Sequence, residues 1–475
     1  MHWLLAASSD AYVVGGAVRD RLLSKPSQDL DVVVGAPPLN MARSLASDLK
    51  LSMFVLDSAR GHVRVFPSAV HRNCPRWVDI SWHGGDLVSE LRRRDFTVNC
   101  MAVPLDAWAN STRFVESLVD PFEGMKDLER RQLRAIGRYA LTDDPLRMAR
   151  AARLALQLNF RIERVTRNTI LSCAGMLANV PGERIREELF AILESHKAAT
   201  GLALLDELGL LSTLIPELDD GRGVSQPSEH HVYDVFEHNL RTVEAVDQIF
   251  SSKKCAKESL FSEIPWSVDI EQYFGQQVAG GQSRLTLLKM AGLLHDVAKP
   301  EKRTVEMDGR IRFIGHQERG AEMSVGVLRR LRCGRSIIHH VASMVKNHLR
   351  PAQISRCWER PSERALFRYY RDTGTVALDT LYLHMADYLA AQGHRIDRSD
   401  WRTYMRMMGA ILSFGFDTRR ASKPVFLLTG HEVMAEFGID PGPKVGALLR
   451  SLREAEANGL VQTREEALEL LAGLI

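Results

Sequence analysis

The sequence predicts an α+β domain followed by a chain that stays helical to its end, and three observations carry that reading. Short β-branched runs alternate with helical stretches up to about residue 137. Beyond that point the apolar residues recur almost entirely with helical period. At 475 residues the chain is long enough for about three domains. Its 45% apolar and 25% charged residues are those of an ordinary globular protein. The longest apolar stretches are strand-sized or broken by charge, so no membrane span is expected. The opening MHWLLAASSD lacks a basic segment, so no export signal is expected. Cys74, Cys100, Cys173, Cys255, Cys333 and Cys357 show no CxxC spacing, which points to reduced thiols and a cytoplasmic location. A net charge of +3 excludes little by itself.

Tyr12 to Val14 and Leu30 to Val34 read as strands, with Gly15-Gly16 breaking the first and Ala17 to Leu23 forming a short helix. A strand, glycine turn and helix start let backbone N–H groups approach a phosphate closely. Arg19 falls in the first turns of that helix, where its donors could hold phosphate oxygens. Alternation puts Asp29 and Asp31 on one face of the second strand, with Leu30 turned into a core. Two carboxylates held that close call for a divalent cation, so the stretch reads as a Mg²⁺ site beside a triphosphate cradle. A helix over Leu39–Lys50 and strands at Ser52–Leu56, His62–Phe66 and Trp77–Trp82 complete a sheet with helices on one face. Asp79, in WVDIS, is a candidate third carboxylate.

GGAVRD followed by DLD resembles the signature of the nucleotidyltransferase superfamily, in the branch of bacterial CCA-adding enzymes and poly(A) polymerases. LRRRDFTVNCMA, Leu91 to Ala102, resembles that family's RRDFTINA motif, with Cys100 where Ala is usual. Ser24 replaces a common Gly after the first helix. The resemblance implies that Arg94 works against the phosphates and sugar of an incoming nucleotide and that Asp95 helps to position it. It implies template-independent addition of C, C and A to the 3′ end of tRNA from CTP and ATP, with Asp29 and Asp31 holding two Mg²⁺ ions. Poly(A) addition and CC-only or A-only addition share these motifs and stay open.

From Leu141 to about Leu218 the pattern turns helical, with Thr142 as the expected N-cap and Pro145 near the first helical position. Asp144, Arg147, Arg150 and Arg153 recur every three residues, so neighbours in the series face each other. Asp143-Asp144-x-x-Arg147 resembles the family's template motif. Cytosine and adenine present an exocyclic amine where uracil and guanine present a carbonyl. A carboxylate at Asp144 accepts from the amine and repels the carbonyl, while Arg147 donates to the adjacent ring nitrogen. Arg150 and Arg153 are then expected at the triphosphate or the primer end. Glu183, Arg184 and Arg186 read as braces for this helix.

From Pro227 a second constellation begins, with His231, Asp234 and His238 expected on one helical face. His238, His295-Asp296 in LLHDVAKP, and Asp387 resemble the ligand set of HD-domain metal phosphohydrolases. His316, His340 and His348 are candidate ligands for a second ion, and Mn, Ni or Mg would suit such a site. That resemblance leaves open an additional phosphatase or 2′,3′-cyclic phosphodiesterase activity, or an inactive helical scaffold. Ser251 to Ser283 reads as a loop with partial helix. Pro441-Gly442-Pro443 is expected to launch a helix carrying Lys444, in a tail that resembles the C-terminal part of bacterial CCA-adding enzymes. The expected division is a nucleotidyltransferase head over 1–137, a helical neck over 138–226, an HD body over 227–395 and a helical tail over 396–475.

Overall fold

The computed structural model describes residues 10–27, 29–48, 50–58, 61–66, 77–227, 231–251, 260–278, 280–354, 361–420, 427–457, 460–461 and 463–474. Cys74, Cys255, Cys357, the residues before Asp10 and part of the Ser251–Ser283 stretch lie outside these. The chain divides into two compact units, Met1–Leu189 with Leu204–Leu214, and Phe190–Ala203 with Ile215–Ile475.

The first unit is built on a six-stranded sheet, order β3-β4-β5-β2-β1-β6. Its strands are β1 (Ala11–Val14), β2 (Asp29–Val34), β3 (Ser52–Asp57), β4 (His62–Phe66), β5 (Trp77–Trp82) and β6 (Ala102–Pro104). Only β2 and β5 run parallel, placing Asp31 directly beside Asp79. One row across the sheet therefore reads Phe54, Arg64, Asp79, Asp31, Val14, Ala102. Helix α1 (Gly16–Leu22) follows the glycine turn and α2 (Pro38–Asp48) follows β2. Val63, Val65, Val78 and Ile80 are buried on the face that α2 covers. The opposite face is covered only in part. Leu91, at the end of α3 (Leu87–Arg92), packs with Val14, Val33, Cys100 and Ala102. Helices thus flank both faces, not one: Val33 and Val14 share the acidic residues' face and need apolar cover where β1, β2 and β6 meet.

Two further helices shape this unit, α4 (Leu146–Leu158) and α5 (Gly182–Glu194). Pro145 holds the N-cap of α4, while Thr142 sits in the short preceding helix Arg138–Asp143 and donates to the Tyr139 carbonyl at 3.2 Å. The expected cap at Thr142 is therefore displaced by proline, whose fixed φ suits the helix entrance.

In the second unit, α6 (Val235–Ser251), α7 (Arg284–Leu294), α9 (Arg335–Asn347) and α10 (Ala377–Gln392) pack together, and α8 (His316–Arg330) lies on α9. Asp234 caps α6 by accepting from the Glu237 N–H at 2.8 Å, so His231 precedes the helix, though its ring still packs edge-on against His238 with centroids 5.1 Å apart. The polar stretch before α7 contains a helix, Val268–Gly275, and a small hairpin. The last helices, α11 (Arg398–Arg420), α12 (Gly430–Phe437), α13 (Pro443–Ala457) and α14 (Arg464–Ala472), end the chain. Helices α12 to α14 close on a core of Val433, Leu448, Leu452, Val461 and Leu471. Capping boxes at Thr429/Glu432 and Thr463/Glu466 start α12 and α14. Helix α13 begins at Pro443, as the proline-glycine turn predicts.

Candidate active site and candidate metal centre

Gly15 has φ +77°, and a Cβ built there would lie 2.3 Å from Arg94 Nη1 and 3.2 Å from an Asp31 oxygen. The turn therefore needs glycine twice over, for its backbone and for the guanidinium seated against it. Arg94 Nη1 stands 3.4 Å from Asp31 Oδ2, and the buried Nε of Arg94 has no hydrogen-bond partner. A buried, unused guanidinium donor beside a glycine turn suits an anionic ligand.

Arg19 is buried and already committed: Nε donates to Asp20 at 2.8 Å and Nη1 to Asn99 Oδ1 at 2.7 Å. Asn99, in the 3₁₀ turn Thr97–Asn99, passes the contact on by donating to Asp95 Oδ1 at 2.8 Å. Arg150 reaches Asp95 at 3.3 Å and donates to Glu188 at 3.0 Å, and Arg153 donates to the other Glu188 oxygen at 2.5 Å. Arg150 and Arg153, expected near phosphates, are thus bonded to buried carboxylates. Burial works to raise the Asp95 carboxyl, but the Arg150 charge, the Asn99 amide and the Phe96 N–H carry it below the usual carboxylate range.

Asp144 and Arg147 lie at the start of α4. Arg184, on α5, donates to both Asp144 oxygens, at 3.1 and 2.9 Å. Arg147 donates to the main-chain carbonyls of Arg93, Arg94 and Ala140 at 2.6, 3.2 and 3.1 Å, which leaves Nε and one Nη2 hydrogen for a ligand. This ties the base-reading candidates to the segment carrying Arg94. Burial tends to raise Asp144, but the Arg184 bonds and charge hold it below the ordinary value.

Asp79 faces Asp31 across the β2–β5 pair, yet its carboxylate accepts two bonds from Arg64, at 2.7 and 2.8 Å. It does not join Asp29 and Asp31 in a three-residue cation cluster among the described residues. The Arg64 guanidinium is raised first by the Asp79 bond, with the charges of Asp29 and Asp31 adding to it. Asp29, Asp31 and Asp79 thus gather negative charge on one face of the sheet, the kind of charge that favours a divalent cation.

The second unit gathers a separate constellation. His238 Nε2 lies 3.0 Å from Asp387, 3.4 Å from Asp296 Oδ2 and 3.2 Å from His295 Nε2. Asp296 Oδ1 faces His316 at 3.3 Å and His348 at 3.7 Å. Two groups of potential ligands thus share Asp296: His238, His295 and Asp296, and Asp296, His316 and His348. His295, His316 and His348 each point Nδ1 at a backbone carbonyl, of Gly292, Phe313 and Val345. That arrangement frees every Nε2 lone pair for a metal. Burial pushes His348 down to about 3, so its ring is neutral. Burial also opposes a charge on His295, yet Asp296 and Asp387 push it up to about 10, a pull that a divalent ion would equally feel. His340 lies apart from this cluster and bonds Asp379 at 3.2 Å.

Asn99, Arg64 and Glu188 were not expected from the sequence, whereas Arg184, expected as a brace for α4, bonds Asp144 at its start. Glu188 carried the clearest signal, an acidic residue whose neighbours on α5, Leu189 and Phe190, are buried. Near Asp296, Lys299 was likewise not expected; its ammonium sits 2.6 Å from the carboxylate and 2.6 Å from Gln226.

Three family profiles match the chain: Poly A polymerase head domain over 11–134, Probable RNA and SrmB- binding site of polymerase A over 159–221, and HD domain over 235–392. An A-adding tRNA nucleotidyltransferase of Deinococcus radiodurans is 36% identical over 96% of this chain and 94% of its own length. A CC-adding tRNA nucleotidyltransferase of Thermus thermophilus is 34% identical over 96% of this chain and 92% of its own. Among solved structures, a Thermotoga maritima CCA-adding enzyme complexed with tRNA shares the fold, with a TM-score of 0.58 and 22% identity over 98% of this chain and 92% of its own. No helix among the described residues is long and apolar enough to cross a membrane.

Proposed function

The chain belongs to the tRNA nucleotidyltransferase family, and from that premise we propose that it builds the CCA end of tRNA from CTP and ATP without a nucleic-acid template. The observation that carries this is the juxtaposition of Gly15, Arg94 and Asp31, a glycine turn against a guanidinium that is only partly committed and an acidic strand. Asp29 and Asp31 would hold Mg²⁺, which when bound supplies Lewis-acid stabilisation of the reacting oxygens. In the transfer, the primer 3′-hydroxyl gives up its proton to solvent and its oxygen bonds to the α-phosphorus as the bond to the β-phosphate oxygen breaks, and pyrophosphate leaves in line. Arg94 orients the phosphates from beside Gly15. Asp144 accepts from the exocyclic amine of cytosine or adenine, and Arg147 donates to the ring edge. Arg19, Asp95, Arg150 and Arg153 act in this reading as the buried framework between the glycine turn and α4. Asp79 serves through Arg64.

The two relatives above add A and CC respectively, which makes addition of only part of the terminus the second reading. Incubation with tRNA ending at the discriminator base, at CC, or complete, with each nucleotide separately and with CTP and ATP together, tests it. Full addition requires CMP and then AMP on the first substrate. AMP only on the CC-ended substrate, or CMP only on the shortest, establishes a partial enzyme, and long A tails establish poly(A) addition.

The shared Asp296 favours a further phosphohydrolase activity with Mn, Ni or Mg in the second unit. We assign residues 1–137 as catalytic head, 138–226 as neck, 227–395 as HD body and 396–475 as tail. The thiols of Cys100 and Cys173 fit a reducing compartment, and we place the protein in the cytoplasm.

A further inference from the structure

The solvated face of an edge hairpin normally reads polar. On β3 and β4 it does not. Phe54 is 63% exposed and Phe66 39% exposed. The register puts Phe54 beside Arg64, and Ser52 beside Phe66, on the face that also carries Asp79 and Asp31. Trp77, paired with Asp29, continues this surface, and the Arg64 guanidinium stacks 4.6 Å above its ring. An aromatic and guanidinium platform therefore runs outward from the acidic pair over β5, β4 and β3. With strands about 4.8 Å apart, Arg64 stands roughly 10 Å and Phe54 roughly 15 Å from Asp31, the span of about four stacked nucleotides at about 3.4 Å each.

Gly15 and Arg94 lie on the other side of Asp31, towards β1 and β6. We propose that the β3–β4–β5 face is the platform on which the unpaired 3′-terminal nucleotides of the RNA primer stack, with Phe54, Phe66, Trp77 and Arg64 as its contacts. The inference rests on the nucleotidyl-transfer reading of Asp29, Asp31 and Arg94. In-line displacement sends pyrophosphate out opposite the attacking oxygen. If the triphosphate lies at Gly15 and Arg94, the attacking 3′-oxygen arrives over β5, and the nucleotides behind it cross β4 and β3. Exposed rings on a sheet face are how proteins hold single-stranded RNA without demanding a sequence, because every base offers a π-face. A primer end that changes with each addition needs that tolerance.

The test is steady-state kinetics of the full chain with tRNA ending at the discriminator base, comparing Phe54→Ala, Phe66→Ala, the double variant and Phe54→Tyr. The double variant is expected to raise KM for tRNA about tenfold, from the loss of stacking, while KM for CTP and the thermal midpoint stay unchanged. Phe54→Tyr keeps a ring and is expected to retain the wild-type KM for tRNA. An unchanged KM for tRNA in the double variant overturns the platform, as does a rise in KM for CTP accompanied by a lower melting temperature. Dissociation of a dimer by Phe54→Ala in sedimentation would assign the face to a second copy and equally overturn it. Asp31→Ala separates the two levels. If that variant still incorporates CMP, the underlying site reading fails; if it is inactive and the phenylalanine variants bind tRNA normally, the platform alone fails.

Discussion

Arg184 donates to both oxygens of the Asp144 carboxylate, at 3.1 and 2.9 Å, although 40 residues separate them. Asp144 is therefore held from α5, while Arg147, 3.9 Å from it, is held by main-chain carbonyls. Each carboxylate oxygen keeps a second lone pair, directed by the bond to Arg184. Arg184→Gln frees Asp144 to rotate towards Arg147 and spoils the spacing of the two groups. We expect the ratio of kcat/KM for CTP over UTP to fall about tenfold, with smaller loss of CTP turnover. Competition kinetics on tRNA with both nucleotides checks it, and an unchanged ratio removes Arg184 from base selection.

Acid sensitivity follows from Asp95, whose folded carboxyl lies below its unfolded value near 3.8. A carboxyl shifted in that direction stabilises the fold fully above its unfolded pKa and loses that contribution as pH falls through the folded value. Urea unfolding between pH 5 and about 2 should show stability declining with acid, and a shallower decline in Asp95→Asn. Equal slopes would mean that Arg150 and Asn99 do not hold Asp95 ionised.

The glycine turn and the acidic strand were legible in the sequence because their residues lie within one strand–helix–strand unit, where spacing alone fixes which face each side chain takes. Contacts between distant elements were not. Arg64 claims Asp79 only because β4 pairs with β5, and Glu188 claims Arg150 and Arg153 only because α5 lies beside α4. His340 on α9 and His348 at its C-terminal cap stand about two turns apart, and no spacing rule distinguishes them. The fold sends His348 to Asp296 and His340 to Asp379.

In the second unit, Asp296 serves both groups of nitrogen ligands. Metal analysis after dialysis against Mn²⁺ is expected to find two ions per chain, one in His348→Ala and none in Asp296→Ala. Hydrolysis of p-nitrophenyl phosphate should follow the metal count, with CMP incorporation retained in both variants. Full metal occupancy in Asp296→Ala would rule out a bridging carboxylate.

If Asp29 and Asp31 carry the transfer chemistry beside Gly15 and Arg94, losing either carboxylate stops incorporation. Single-turnover incorporation of labelled CMP and AMP into tRNA by Asp31→Ala reads this, with tRNA affinity measured on the same preparation. Incorporation should fall by about a thousandfold or more while affinity for tRNA stays within about twofold, since the carboxylate holds the metal and not the RNA. Incorporation within tenfold of the unsubstituted protein at equal tRNA affinity would take the transfer chemistry away from Asp31.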